Sequence, residues 1–427
     1  MVDVPAGHLH LGDRSDPATH ERANDLGHYE AANRPTHGVI VGMTGSGKTG
    51  LAVIALEEAL LQGIPTLILD PKGDMTNLML TFPDFDAASF APWVQDGVDA
   101  AGTADLWKNG LDGWGIGPDR LQTFNDKVNT TIYTPGSEAG IGLNIIGDLR
   151  APKGVPDETR ADEIEGLVSS LLGLMGIDAD PLASPEHILL SNIINHSWQQ
   201  EIDLDLATLV GQVQQPPMRK LGVLDLDTFF PAKDRTALAM KLNGLIASPS
   251  FAGWTEGEPL DIENMLFGGD KTNAAIVSLA HLSDAERQFV VTLVLSKLIT
   301  WMRAQSGTPD LRVLVYMDEV FGFVPPTANP PAKKPILTIL KQARAFGVGM
   351  VLSTQNPVDL DYKAMSNAGT WCIGRLQTER DKARILEALQ SARGDTDVKA
   401  LDALISGLDK RQFCLLYTSD AADESSS

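Results

Sequence analysis

Gly42-Met-Thr-Gly-Ser-Gly-Lys-Thr49 is the stretch that decides the fold of this chain. It fits the spacing G-x-x-x-x-G-K-[ST], and its flanks supply the setting that spacing needs. An apolar run, Thr36-His-Gly-Val-Ile-Val-Gly42, reads as a buried strand before it. After it, Lys48 to Leu61 reads as a helix, with Leu51, Ile54, Ala55 and Leu60 on its apolar side. Glycines in such a turn let backbone N–H groups face a phosphate, and the helix N-terminus adds partial positive charge. Lys48 can then reach the β- and γ-phosphates, while the Thr49 hydroxyl ligates Mg²⁺. Gly42, Met43, Thr44, Gly45, Ser46, Gly47, Lys48, Thr49 and Gly50 are therefore the expected nucleotide-binding residues, with ATP and Mg²⁺ as cofactors. A second apolar run, Pro65-Thr-Leu-Ile-Leu-Asp70, closes a βαβ unit, the opening of a parallel α/β sheet.

Working outward, the 427 residues carry 56 Asp+Glu against 34 Lys+Arg, a net charge of −22. That balance argues against a surface that coats nucleic acid broadly and leaves room only for a local basic channel. Hydrophobic residues at 43% and charged residues at 21% place the chain among globular proteins and exclude disorder. The longest apolar run, Phe289 to Leu295, is far short of the roughly 20 residues of a membrane span. Neither a transmembrane segment nor an export signal is expected. With only Cys372 and Cys414 no disulfide framework can form, so a cytoplasmic location is expected.

The βα alternation breaks after residue 75. Residues 83–120 read as loop-rich, Thr130 to Tyr133 as a strand, and about 150–267 as a helical insertion, where Ser184 can cap a helix whose first residue is Pro185. Alternation resumes with a strand at Asn273–Leu279 and a capping box at Ser283-Asp-Ala-Glu286 opening a long helix. Further strands are expected at 311–317, 349–353 and 369–375. The expected division is an N-terminal segment at 1–35, ATPase core at 36–149 and 268–413, and the insertion between. The tail 414–427 resembles a translated sequencing adapter and is set apart from the fold, the natural chain being expected to continue past Phe413.

Val313-Leu-Val-Tyr-Met-Asp318-Glu319 is an apolar strand ending in two carboxylates. Asp318 suits the Mg²⁺ shell, and Glu319 can deprotonate the attacking water. No Asn-Lys-x-Asp string is present, which argues against guanine recognition. Ser353-Thr-Gln-Asn-Pro357 ends the next strand, so Gln355 should face the γ-phosphate from the same sheet edge.

Together with Ile68-Leu-Asp-Pro-Lys-Gly-Asp74 and Ala343-Arg-Ala-Phe-Gly347, these motifs resemble the HerA/FtsK superfamily of P-loop ATPases, above all HerA-type helicases and the related conjugation and type IV secretion ATPases. The resemblance covers about 36–75 and 270–392. It implies a RecA-like core of the additional-strand class, a hexameric ring, and ATP-driven movement of DNA or protein, with a nuclease or membrane-complex partner. It also implies a sensor role for Gln355 and an acidic motif at Asp70 and Asp74, the latter standing where many members have Glu. Arg344, before one strand, suits a finger acting on a neighbour's nucleotide; Arg375, at the end of another, suits a role within its own subunit or beside the interface. A secretion ATPase and a nucleotide-dependent switch are the competing functions. Lys333 and Lys334, in a proline-rich loop after Glu319, are read as a substrate-contacting pair. His8 and His10 share metal-ligand spacing but read as surface histidines, and Cys372 reads as core.

Overall fold

Leu9–Ser15 (β1) and Arg22–Tyr29 (β2) pair antiparallel, and β1 lies against helix α1, Lys48–Leu61. The computed structural model describes residues 9–16, 19, 21–29, 37–145, 149–392 and 397–417. His10 is buried in this hairpin rather than on the surface, its backbone N–H donating to Glu58 of α1. His8 lies outside the described residues. Among the described residues no His/Cys/Asp/Glu cluster could hold a metal, and no helix is long and apolar enough to cross a membrane.

Eight strands form the central sheet: Gly38–Val41 (β3), Thr66–Asp70 (β4), Val128–Tyr133 (β5), Thr272–Ser278 (β6), Val313–Met317 (β7), Val348–Thr354 (β8), Thr370–Ile373 (β9) and Cys414–Tyr417 (β10). Their order is β10-β9-β3-β8-β7-β4-β6-β5, parallel except for the antiparallel β9–β10 edge. Strand β8 therefore separates the P-loop strand β3 from the Asp318 strand β7, the topology of the additional-strand class. Residues 414–417, which the sequence sets apart from the fold, occupy an open sheet edge. Such pairing uses backbone groups that any non-proline sequence offers.

Side chains alternate between the faces of each strand. Val39, Val41, Leu67, Leu69, Val313 and Val315 enter one core, whereas Ile40, Ile68, Leu314 and Tyr316 enter the other with Leu51 and Leu56 of α1. Burial on both faces is why these strands read as near-continuous apolar runs.

Residues 83–120 are not the expected loop. Asp99 caps Ala100–Asp112 (α2) by accepting from the Ala101 and Gly102 N–H groups, and Pro118–Lys127 (α3) begins with a proline in its first turn. Between β5 and β6 lie Asp157–Leu174 (α4), Pro185–Trp198 (α5), Leu206–Gln214 (α6) and Ala232–Ala247 (α7). Ser184 sits at the cap position of α5, but its hydroxyl accepts from the Asp180 N–H instead. Asp284–Arg303 (α8) carries the full capping box, Ser283 and Glu286 each satisfying the other's backbone. Helix α4 packs along α8, so Leu167, Leu171 and Leu190 share one continuous core with the sheet. Lys333–Gln342 (α9), Glu379–Ala392 (α10) and Val398–Gly407 (α11) lie in the second half.

Candidate active site

Because β3, β4, β7 and β8 run parallel, their C-terminal ends bring four sequence-distant segments to one edge. The P-loop leaves β3, Asp70 ends β4, Asp318-Glu319 follow β7, and Gln355 follows β8.

Gly45 and Gly47 adopt φ of 76° and 104°, left-handed conformations that favour glycine. A Cβ on Gly42 would stand 2.6 Å from the Ser46 hydroxyl oxygen, and one on Gly47 3.2 Å from the Arg411 Cα. At Gly42 and Gly47 the loop leaves little room for a side chain, whereas Gly45 faces open space. Ser46 Oγ is buried without a protein hydrogen-bond partner, and Lys48 Nζ donates to the Gly42 and Met43 carbonyls at 2.6 and 3.2 Å. Burial depresses the Lys48 ammonium, Glu319 and Asp318 raise it, and Lys72 adds a like-charge push downward. Such a loop, with a buried cation at its base, fits a nucleotide triphosphate tail. Thr49 opens α1 beside it, followed by the exposed Gly50.

Asp318 is 4% exposed and accepts from the Tyr316 hydroxyl at 2.9 Å. Burial and the Asp318 charge push that phenol well above its ordinary range, so it stays a donor. Glu319 sits at φ 40°, a left-handed conformation for a non-glycine residue of the kind that concentrates at functional sites. Its Oε2 accepts from Gln355 Nε2 at 2.7 Å and pairs with Lys72 Nζ at 2.8 Å. Gln355 Oε1 in turn accepts from the Thr44 hydroxyl of the P-loop. One hydrogen-bonded chain thus runs Lys72, Glu319, Gln355, Thr44. Asp318 and Thr49 would hold Mg²⁺ at this edge, where the ion would screen phosphate charge.

Asp70 is fully buried, and its carboxylate accepts from the backbone N–H groups of Lys72, Gly73 and Met75 at 3.2, 2.8 and 2.9 Å. Burial pushes its carboxyl up against those bonds. Asp70 thus acts on the turn after β4, and Asp74, itself exposed, begins the 3₁₀ turn beyond it.

The two arginines lie at opposite edges. Arg344 is exposed in the turn Ala343–Phe346, at the edge where β8 begins, with its charge felt by His37. Arg375 is exposed just past β9, and its carbonyl accepts from the P-loop Met43 N–H at 2.7 Å. The basic pair departs from its reading. Lys333 is buried, donating to the Pro325 and Ala328 carbonyls at 2.6 and 3.0 Å and pairing with Asp361 at 2.8 Å. Lys334 pairs with Glu165 of α4 at 2.7 Å. Both lysines tie α9 into the protein. Cys372 is core, its thiol pushed up to about 12 by burial. Two neighbours of the P-loop escaped the sequence reading: Lys72, and Arg411, whose N–H donates to the Ser46 carbonyl at 2.8 Å.

Fold and site together define a P-loop ATPase of the additional-strand class, using ATP and Mg²⁺. Residues 35–131 match the family model described as the helicase HerA central domain. Over these residues the chain resembles the HerA/FtsK superfamily. A solved VirB4 from Thermoanaerobacter pseudethanolicus is similar at 13% identity and TM-score 0.54, over 98% of each chain. The bacterial conjugative coupling protein TrwB is similar at 13% identity and TM-score 0.55, over 98% of this chain and 93% of that one. TrwB has also been solved with a non-hydrolysable ATP analogue and, at TM-score 0.52, with ADP and Mg²⁺. At these identities the likeness shows the fold alone. No curated protein matches the chain.

Proposed function

We propose that this ATPase is a ring motor, hexameric by family resemblance, that moves DNA in the manner of HerA-type translocases in the cytoplasm, with a nuclease or membrane-complex partner. The observation that carries the reading is the chain from Thr44 through Gln355 to Glu319, which links the phosphate loop to the water-activating carboxylate. A γ-phosphate in the cradle competes for the Gln355 amide, so its arrival or loss is transmitted to Glu319 and to β8. Within the site, Lys48 holds the phosphates, Asp318 and Thr49 hold Mg²⁺, and Glu319 takes the water's proton. Arg344 serves as a finger acting across the ring, and Arg375 acts beside its own P-loop. Residues 150–267 are the insertion in this scheme, with the core divided around it.

The reading of Lys333 and Lys334 as substrate contacts is set aside, since both are held by carboxylates within the chain. A DNA path therefore needs other cations. ATP turnover measured with and without duplex DNA tests the substrate: DNA-stimulated turnover supports the motor, and a rate indifferent to DNA opposes it. Mixing Arg344→Ala with Glu319→Gln protein tests the finger, since activity should return only if it acts in trans. A second reading, compatible with the same fold, is an ATPase that moves protein or nucleoprotein. Dependence of turnover on a membrane-complex partner instead of DNA would select it.

A further inference from the structure

The Lys72 contact with Glu319 has so far been given no chemical role, yet hydrogen bonds define its geometry at both ends. Asp70 fixes it from below. That buried carboxylate gathers the N–H groups of Lys72, Gly73 and Met75, and Gly73 at φ 88° lets the chain turn around it. The turn aims the Lys72 side chain away from β4 and across to the end of β7, 247 positions along the chain, where Nζ meets Glu319 Oε2 at 2.8 Å. The same oxygen accepts from Gln355 Nε2 at 2.7 Å, and Oε1 faces the Gln355 backbone N–H at 3.4 Å. Glu319 is thus held by β4 on one side and β8 on the other.

Glu319 also sits at φ 40°, a conformation that relaxes unless its surroundings hold it. With Lys72 removed, the carboxylate is left with Gln355, through a long backbone N–H contact and a side-chain amide that is committed at its other end to Thr44. Burial alone would depress the Lys72 ammonium, but the Glu319 hydrogen bond and charge raise it above the ordinary lysine range, so the contact is that of a full ion pair. With its side chain 38% exposed it is no core lysine, and a merely solvated one would not converge on an oxygen already hydrogen-bonded.

We infer that Lys72 is a positioning residue for hydrolysis: it fixes the Glu319 carboxylate in line for water activation, and Asp70 serves that end by shaping the turn that presents it. This rests on Glu319 being the base. The general-base contribution is about 10²- to 10⁴-fold, and displacing the base forfeits part of it.

Steady-state ATP hydrolysis and ADP affinity, measured on the full chain, test the inference. Lys72→Met should lower kcat roughly 10- to 100-fold, a fraction of the base's share. KM for ATP and ADP affinity should change little. Lys72→Arg, which keeps the cation, should recover much of kcat, and Lys72→Met added to Glu319→Gln should cost nothing further. An unchanged kcat in Lys72→Met overturns the proposal. So does a KM rise at constant kcat, which would make Lys72 a phosphate ligand, or a kcat rise, which would make the pair a brake. Full activity in Glu319→Gln would instead overturn the assignment of the base, which separates the two failures. Circular dichroism and thermal melting of Lys72→Met, expected to match the parent, exclude a folding defect as the cause of a lost kcat.

Discussion

The P-loop edge of the sheet and the helices between β5 and β6 are built on opposite rules. At the edge, polar groups crowd together: a buried lysine bonds to its own backbone, a strained glutamate is clamped from two strands, and a serine hydroxyl is left without a partner. In the insertion, Leu167, Leu171 and Leu190 are completely or almost completely buried, and its one deeply buried carboxylate, Glu163, is answered by Lys297 at 2.6 Å and by Thr300. One region gathers polar groups around a phosphate cradle; the other is mainly apolar packing, although Gln212 Oε1 and the Nε atoms of Arg160 and Arg235 are buried there without hydrogen-bond partners. Substitutions should therefore separate into losses of turnover at the edge and losses of stability in the insertion.

Leu171→Ala should give the largest stability loss, about 2–5 kcal/mol, because it empties a fully buried site in a core shared with the sheet. Denaturant melts measure it, and turnover per folded molecule should survive. A loss below 0.5 kcal/mol would show that the insertion does not share the sheet's core.

His37 probes the edge opposite the P-loop. Its Nδ1 accepts from the Met350 N–H at 3.1 Å, and burial, then the Arg344 charge, pushes its imidazole down to about 4. The unfolded chain binds the proton more tightly, so this stability is present above the unperturbed value near 6.5 and is lost as pH falls toward 4. The loss can reach about 3 kcal/mol. His37→Gln should flatten the profile over that window.

Lys48→Ala should weaken ADP binding by up to about 10²-fold, the worth of a charge-assisted contact, while leaving the melting temperature unchanged or raised. Isothermal titration checks the first and a thermal melt the second. Smallest of all, Lys334→Ala should cost under about 1 kcal/mol, because its partner Glu165 and the ammonium are both partly exposed. It should leave any DNA stimulation of turnover intact, and a loss of that stimulation would restore Lys334 as a substrate contact.

The two regions also differ in how much their sequences disclose. The cradle was legible because its residue spacing, its flanking strand and helix and the positive φ of Gly45 and Gly47 are local features, and Asp318-Glu319 and Gln355 were legible because each ends an apolar strand. Lys72 was quoted within a motif yet given no role, since its partner follows the neighbouring strand β7 in the other half of the chain. Lys333 misled for the same reason: proline-rich flanks suggest an exposed loop, but Asp361 arrives from a distant turn to bury it. In α2, Gly102 and Gly110 masked a helix that the Asp99 cap announces.

Turnover and ADP affinity of Glu319→Gln beside the parent protein probe the catalytic edge most directly. The expected result is hydrolysis reduced by about 10² or more with ADP binding preserved. Retained hydrolysis would contradict the assignment of Glu319 as the base on which the site is built.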